Sequence, residues 1–278
     1  MKYKASLIIS IYDNVPFLKA VLDSLMYQTE KNYEIIISED AEFSEVAEFV
    51  RSYPFRNDYQ HLTQPDQGWR KERALNNAVK AAKSDWLIFI DGDCVLHPRF
   101  IEWHVKMADE NCILGGSRVK LNQKLSLKLL ETSKEIFSMP SYLCKSLLLS
   151  EGTRHIEEGF YVSPDNILGW LLNKRKPRGL IGSNMSFSRK AIEDLNGFDE
   201  DFILPAIGED ADLSWRFRAA GYQFRSVRNL AIQYHLFHKE NWKDQSENAA
   251  LMELKIATLM ELKIAKNEFR CKNGLKKM

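Results

Sequence analysis

The chain has 278 residues, 45% of them hydrophobic and 28% charged, with a formal net charge of +1. This is the composition of a globular protein, long enough for one large α/β domain with a lobe or for two small domains. It excludes a disordered chain and gives no basis for nucleic-acid binding, because no element gathers basic residues with aromatic ones.

Four scattered cysteines, Cys94, Cys112, Cys144 and Cys271, form no Cys-x-x-Cys pair. Neither a zinc site nor a disulfide framework is indicated, and a reducing, cytoplasmic setting is expected. No run approaches the ~20 apolar residues of a membrane-crossing helix. The expectation is a soluble chain, or one held peripherally at the inner face of the plasma membrane.

Ala5 to Ile11 reads as a buried first strand, too short for a signal-peptide core. Asp13 or Asn14 can cap the next helix, whose apolar face is Phe17, Leu18, Val21, Leu22, Leu25 and Met26. Tyr33 to Ser38 is a second buried strand, ending in Glu39-Asp40. A helix over Glu42 to Ser52, a strand around Tyr59 to Thr63 and a turn at Gln64–Gly68 follow. Arg70 to Lys83 has helical spacing, with Ala74, Leu75, Ala78, Val79 and Ala82 inward. Trp86 to Ile90 is a short apolar run that suits a strand covered on both faces. It ends in Asp91-Gly92-Asp93.

This alternation of strand and helix argues for a mostly parallel sheet flanked by helices. The polar ends Tyr12-Asp13, Glu39-Asp40 and Asp91-Gly92-Asp93 then gather at the carboxyl edge, where such sheets bind ligands. In an extended segment Asp91 and Asp93 project to the same side. Their oxygens suit Mg²⁺ or Mn²⁺ bridging to substrate phosphates. A polar turn after a strand is the plain alternative. No glycine-rich phosphate cradle is present, which weakens dinucleotide and P-loop readings.

Further on, Phe100 to Asp109 is helical in pattern, and Cys112 to Val119 reads as a strand in which Gly115-Gly116 allows close backbone approach. Two helices are expected around Leu125–Phe137 and Tyr142–Leu149. Lys174-Arg175-Lys176-Pro177-Arg178 is a basic cluster, either a solvated loop or one that meets phosphates. Gly208-Glu209-Asp210-Ala211-Asp212 opens a helix, where the dipole favours carboxylates. Three acids in four residues exceed what a cap requires, so one of them can serve as a general base. His235, next to Tyr234 and near His238, is a candidate third metal ligand beside Asp91 and Asp93.

Taken together, these segments resemble the family-two glycosyltransferases with the GT-A fold, over about residues 5–245. Ile8–Asp13, Glu34–Asp40, Ala74–Ala78 and Asp91-Gly92-Asp93 resemble that family's nucleotide-binding half. Ile181–Phe187, Asn196–Phe202, Gly208–Arg216 and Tyr234-His235 are similar to the galactosyltransferase and chondroitin-polymerase branch. The resemblance implies an inverting, metal-dependent transfer from a UDP-sugar to a hydroxyl of a glycan or lipid-linked acceptor. It implies that Asp93 and His235 hold Mn²⁺ or Mg²⁺, with Asp91 reaching the ion through water or holding the ribose. Ser10, Tyr12 and Asp40 would meet uridine, and Arg73 the diphosphate. Asp210 would be the base and Glu209 would bind a sugar hydroxyl, with Asn184 and Trp215 lining the sugar pocket. Two other classes remain open: an inactive sugar-nucleotide-binding homologue, and a nucleotidyltransferase using a similar metal edge.

The expected organisation is a catalytic domain over residues 1–245, with a nucleotide-binding half (1–119) and an acceptor-binding half (120–245). A basic, helical extension follows over 246–278. There Leu251–Ala257 is nearly repeated as Leu259–Ala265, two helical turns later. That extension would pack on the core, pair with a second copy or dock on anionic lipid.

Overall fold

The computed structural model describes residues 2–138, 151–175, 179–203, 208–239, 265–266 and 268–277. The order is β1 (Ala5–Ile11), α1 (Val15–Leu25), β2 (Tyr33–Glu39), α2 (Ser44–Ser52), β3 (Tyr59–Leu62), α3 (Lys71–Ala81), β4 (Trp86–Asp91) and β5 (Cys94–Leu96). Then come α4 (Phe100–Lys106), β6 (Cys112–Gly115), β7 (Val119–Lys120), α5 (Gln123–Ser138), a 3₁₀ turn (Ile156–Gly159) and α6 (Ile167–Asn173). Last are β8 (Met185–Ser188), α7 (Arg189–Asp194), α8 (Glu209–Ala219), β9 (Gln223–Ser226) and β10 (Gln233–His235).

Seven strands form one sheet in the order β3-β2-β1-β4-β8-β6-β9. β1, β2, β3 and β4 run parallel, and β8 is antiparallel to both its neighbours. Successive side chains of a strand point to opposite faces, and the apolar runs are buried on both. Leu7 and Ile9, Ile35 and Ile37, and Ile88 and Ile90 pack under α1, α2 and α4. Ile8, Ile36, Leu87 and Phe89 pack on the other side against α3, α7 and α8. Each fully buried side chain of this kind contributes about 1.5–3 kcal/mol relative to exposure. Two-sided burial explains why these strands read as unbroken apolar runs rather than as alternation.

Asn14 caps α1 by accepting from the Phe17 amide at 3.0 Å. The expected strand over Cys112–Val119 is two strands in two sheets, because the chain breaks at Gly116. A Cβ there would lie 2.2 Å from the Asn184 side chain, so the backbone turns where only glycine fits. β7 joins β5 and β10 in a separate three-stranded sheet. The expected helix over Tyr142–Leu149 and the repeat over 251–265 lie outside the described residues, except for Ala265.

The helix expected for the C-terminal extension does not include residues 268–277. That stretch runs over the sheet-and-helix core as an irregular strap. Cys271 N and Leu275 N donate to Leu195 O and Asn196 O at 3.1 and 2.7 Å. Asn196 Nδ2 donates back to Cys271 O and Lys276 O, each at 2.8 Å. Phe269 and Leu275 pack on the core face shared by α3 and α8.

Candidate active site

Parallel pairing aligns Ser10 with both Ser38 and Asp91, and Ile11 with Glu39. The carboxyl ends of β1, β2 and β4 therefore meet at one edge. Tyr12 is half exposed there, its ring centre 5.2 Å from that of Phe43 in an edge-to-face pair and its hydroxyl donating to Asp66 at 2.9 Å. Asp40 is buried, accepting from Gln64 Nε2 at 2.6 Å and from the Arg70 amide at 2.8 Å. Burial raises its carboxyl above the ordinary range despite those donors. The Gln64–Arg70 turn thus folds over Asp40 and reaches Tyr12. Ser10 contributes its carbonyl, which accepts from Gly92 N at 2.7 Å.

The two aspartates of Asp91-Gly92-Asp93 take different partners. Asp91 accepts from Lys71 Nζ at 2.6 Å and has Arg118 Nη1 at 3.9 Å. Asp93 faces two histidines: His235 Nε2 and His238 Nε2 lie 3.3 and 3.2 Å from its Oδ2. Strand pairing explains this. β10 runs antiparallel to β5 with His235 opposite Cys94, and Leu236 N donates to Asp93 O at 2.9 Å. Burial raises the Asp93 carboxyl, but hydrogen bonds from His235 and His238 outweigh it and hold the group below the ordinary range.

Asp93, His235 and His238 can offer ligand atoms that all lie within 4.8 Å of one another. Among the described residues this is the one such group, and Asp91 lies outside it. One carboxylate oxygen and two imidazole nitrogens fit a transition ion such as Mn²⁺ better than Mg²⁺, which prefers oxygen alone.

Asp210 stands in the first turn of α8, accepting a hydrogen bond from the Gly182 backbone. Burial raises its carboxyl, with Asp91 adding and Lys71 opposing. It lines a cleft with Lys71, Glu72, Gly182, Phe198 and Glu209. Lys71 therefore links the Asp91 end of β4 to the Asp210 end of α8. Glu72 is 3% exposed, and its Oε2 makes no hydrogen bond. Burial foremost, with Glu209 and Asp210 adding, pushes its carboxyl up to about 8 against the pull of Lys71.

Two expected sugar contacts are placed elsewhere. Asn184 is fully buried, its amide committed to Ser117 O and Ala231 O at 2.8 and 3.0 Å and to His104 Nε2 at 3.1 Å. It is a scaffold residue and leaves no polar atom for a sugar. Trp215 is half-buried and absent from the cleft lining. Arg73 bonds Gln67 Oε1 at 3.2 Å, so the cation at the carboxylates is Lys71. Lys71, Glu72, Arg118 and His238 were not among the expected site residues. Glu72 carries a usable signal: it shares the helical stripe of Leu75 and Val79, where a carboxylate is out of place.

The sheet, the carboxyl-edge acids and the helix-borne Asp210 define a GT-A α/β fold with a ligand-binding edge. Solved structures agree: TarS of S. aureus, residues 1–349 in complex with UDP-GlcNAc, superposes with TM-score 0.61 over 93% of this chain and 66% of that one, at 13% identity. A mannosyltransferase of Pyrobaculum calidifontis in complex with GDP-Man and Mn2+ gives 0.55 over 87% and 59%, at 14% identity. At that identity the likeness concerns the fold.

The family described as glycosyl transferase family 2 matches residues 6–195, and the N-terminal domain of galactosyltransferase matches 173–239. The chain belongs to glycosyl transferase family 2. It is 25% identical over 247 residues to a chondroitin synthase of Escherichia coli, covering 83% of this chain and 34% of that protein. It is 22% identical over 236 residues to a hyaluronan synthase of Pasteurella multocida, covering 83% and 24%. The chain thus spans about a third and a quarter of these relatives' lengths.

Proposed function

We propose that this chain transfers a sugar from a nucleotide diphosphate donor, a UDP-hexose or UDP-N-acetylhexosamine, to a hydroxyl of a glycan or lipid-linked acceptor, with inversion. The observation that carries the reading is the pairing of a metal-capable triad with a buried carboxylate across Lys71. Asp93, His235 and His238 would hold Mn²⁺, which when bound offsets the charge of the departing diphosphate. Asp40 and Tyr12 would meet the base and ribose, and Asp91, which lies outside the triad, would hold the ribose. Lys71 and Arg118 supply positive charge beside the diphosphate.

An acceptor hydroxyl is too weakly acidic to ionise alone near neutral pH. Asp210 is the candidate base, and its raised proton affinity suits that task; such help contributes typically 10²–10⁴-fold. One displacement at the anomeric carbon inverts it, so no covalent intermediate is required. Glu209, which lines the same cleft, would bind a sugar hydroxyl. Cys94, Cys112 and Cys271 are buried and form no disulfide among the described residues, which supports a reducing, cytoplasmic setting. No described helix is long and apolar enough to cross a membrane.

The test is a thermal-shift series with UDP, GDP, CDP and TDP, each with Mn²⁺ and with EDTA. Ligand at ~100 times its dissociation constant adds about 2.7 kcal/mol, or roughly 5–10 °C for a domain of this size. A UDP shift that needs Mn²⁺ is the expected result. A Mn²⁺-dependent shift with another nucleotide replaces the donor, and no shift with any nucleotide overturns the reading.

A further inference from the structure

Helix α6 (Ile167–Asn173) presents an apolar face to solvent. Ile167, Trp170 and Leu171 are 80%, 55% and 52% exposed. They fall at i, i+3 and i+4, so they form one stripe rather than scattered surface residues. The opposite side is anchored. Gly169 is buried, and a Cβ there would come within 1.8 Å of Ser163 O, so the backbone sits directly on the preceding turn. Gly169 N also donates to Asn166 Oδ1 at 2.7 Å. Gly169 thus lies against its own preceding turn, and the stripe is on the other side of the helix.

Charge continues the pattern. Lys174 and Arg175 follow the helix and are exposed, and Lys174 Nζ lies 3.3 Å from the centre of the Trp170 ring. Asp165 precedes the helix, and the run that follows it, Lys174-Arg175-Lys176-Pro177-Arg178, holds four Lys or Arg and no Asp or Glu. A protein partner burying Trp170 would be expected to meet a mixed rim. A basic cluster at the end of an apolar stripe instead matches an anionic bilayer. There, acyl chains take the apolar residues, Trp sits at the headgroup level, and Lys and Arg reach back to phosphate.

We propose that α6 is an interfacial membrane anchor, through which Ile167, Trp170 and Leu171 enter the headgroup region of an anionic phospholipid surface. Lys174 and Arg175 meet its phosphates. The helix is about 10 Å long at 1.5 Å per residue, so it lies on the bilayer and does not span it. Docking through α6 requires neither the donor nor the reaction.

The experiment is co-sedimentation of the full chain with extruded vesicles of phosphatidylcholine alone and of phosphatidylcholine with phosphatidylglycerol. Wild type is expected to bind the anionic vesicles, to release in high salt and to ignore the neutral ones. The triple variant Ile167→Ser, Trp170→Ser, Leu171→Ser should lose more than ~10-fold in partition while keeping its Tm, because the side chains it alters are solvent-exposed. The double variant Lys174→Gln, Arg175→Gln should lose roughly 30-fold, at about 5-fold per basic residue. Equal binding by the triple variant would move the lipid contact to another part of the chain and overturn the proposal. So would a failure of wild type to bind anionic vesicles. A wild-type dimer without vesicles that the triple variant dissolves, seen by sedimentation velocity, would assign the face to a second copy and equally overturn it.

Discussion

Glu72→Gln separates a protonated cleft acid from an ionised one. In the fold, burial holds the Glu72 carboxyl up to about 8, against an ordinary value of 4.5. Between these values the folded chain keeps the proton and the unfolded chain has released it. Stability therefore falls as pH rises through this window, by about 1.4 kcal/mol per unit. Below pH 4.5 both states are protonated and the effect vanishes; above pH 8 both are ionised and it is constant. By pH 8 the accumulated cost is roughly 4 kcal/mol.

Glutamine keeps the shape and cannot ionise, so the variant should gain on wild type along the same course. Urea unfolding of both proteins at several pH values from 5 to 8, in EDTA, measures the difference. His97 and His104, held down to about 4 and about 3 by burial, act the other way: stability is lost as pH falls below the ordinary histidine range. They are common to both proteins and cancel in the difference. A difference that stays flat with pH would show Glu72 ionised in the fold and refute the reasoning.

His238→Ala should weaken Mn²⁺ binding by about 100-fold or more, since even an outer partner of a ligand is worth ~10–100-fold; calorimetric titration that finds unchanged affinity would remove His238 from the triad. Asp210→Asn should keep the nucleotide-induced thermal shift and lose roughly 10²–10⁴-fold in transfer rate, and transfer at the wild-type rate would defeat the base assignment. Asn184→Ala leaves His104 and two buried carbonyls without their partner, at about 1–3 kcal/mol for each unsatisfied group. It should lower the Tm by several degrees, whereas an unchanged Tm with a raised donor KM would make Asn184 a sugar contact after all. Removing residues 268–278 takes away the strap's bonds to Leu195, Asn196 and Arg216. At about 1 kcal/mol per net hydrogen bond the loss should be a visible drop in Tm, and an unmoved melting curve would show the strap to be idle.

The first half of the chain was legible because its strands are buried on both faces. Ala5–Ile11, Tyr33–Ser38 and Trp86–Ile90 are unbroken apolar runs that end abruptly in polar residues, and the structure ends its strands at nearly the same places. The later half carried less signal. β5, β7 and β10 have two or three residues each, too few for any periodicity to register. β8 enters between β4 and β6 with the sequence Met-Ser-Phe-Ser, whose serines are as buried as its apolar residues. His104 shows why: its Nδ1 lies 2.8 Å from Ser186 Oγ, so a polar strand position is satisfied from a helix far away in sequence.

The site depends on the same long-range pairings, which is why Asp91-Gly92-Asp93 pointed to a place but not to its partners. Asp91 ends a strand of the large sheet, and Cys94 begins a strand of the small one. The motif is the crossing between the two. Once the chain has crossed, the carboxylates answer to different neighbours: Asp91 to the start of α3 through Lys71, Asp93 to β10 through His235 and His238. Same-side projection of i and i+2 holds only while the strand continues, and here it stops between them. A metal-capable triad therefore needs β10 to pair with β5, some 140 residues away in sequence, and that pairing places His235 opposite Cys94. Two carboxylates that look like one pair in the sequence become the ends of two half-sites, joined through Lys71 to the cleft that holds Asp210.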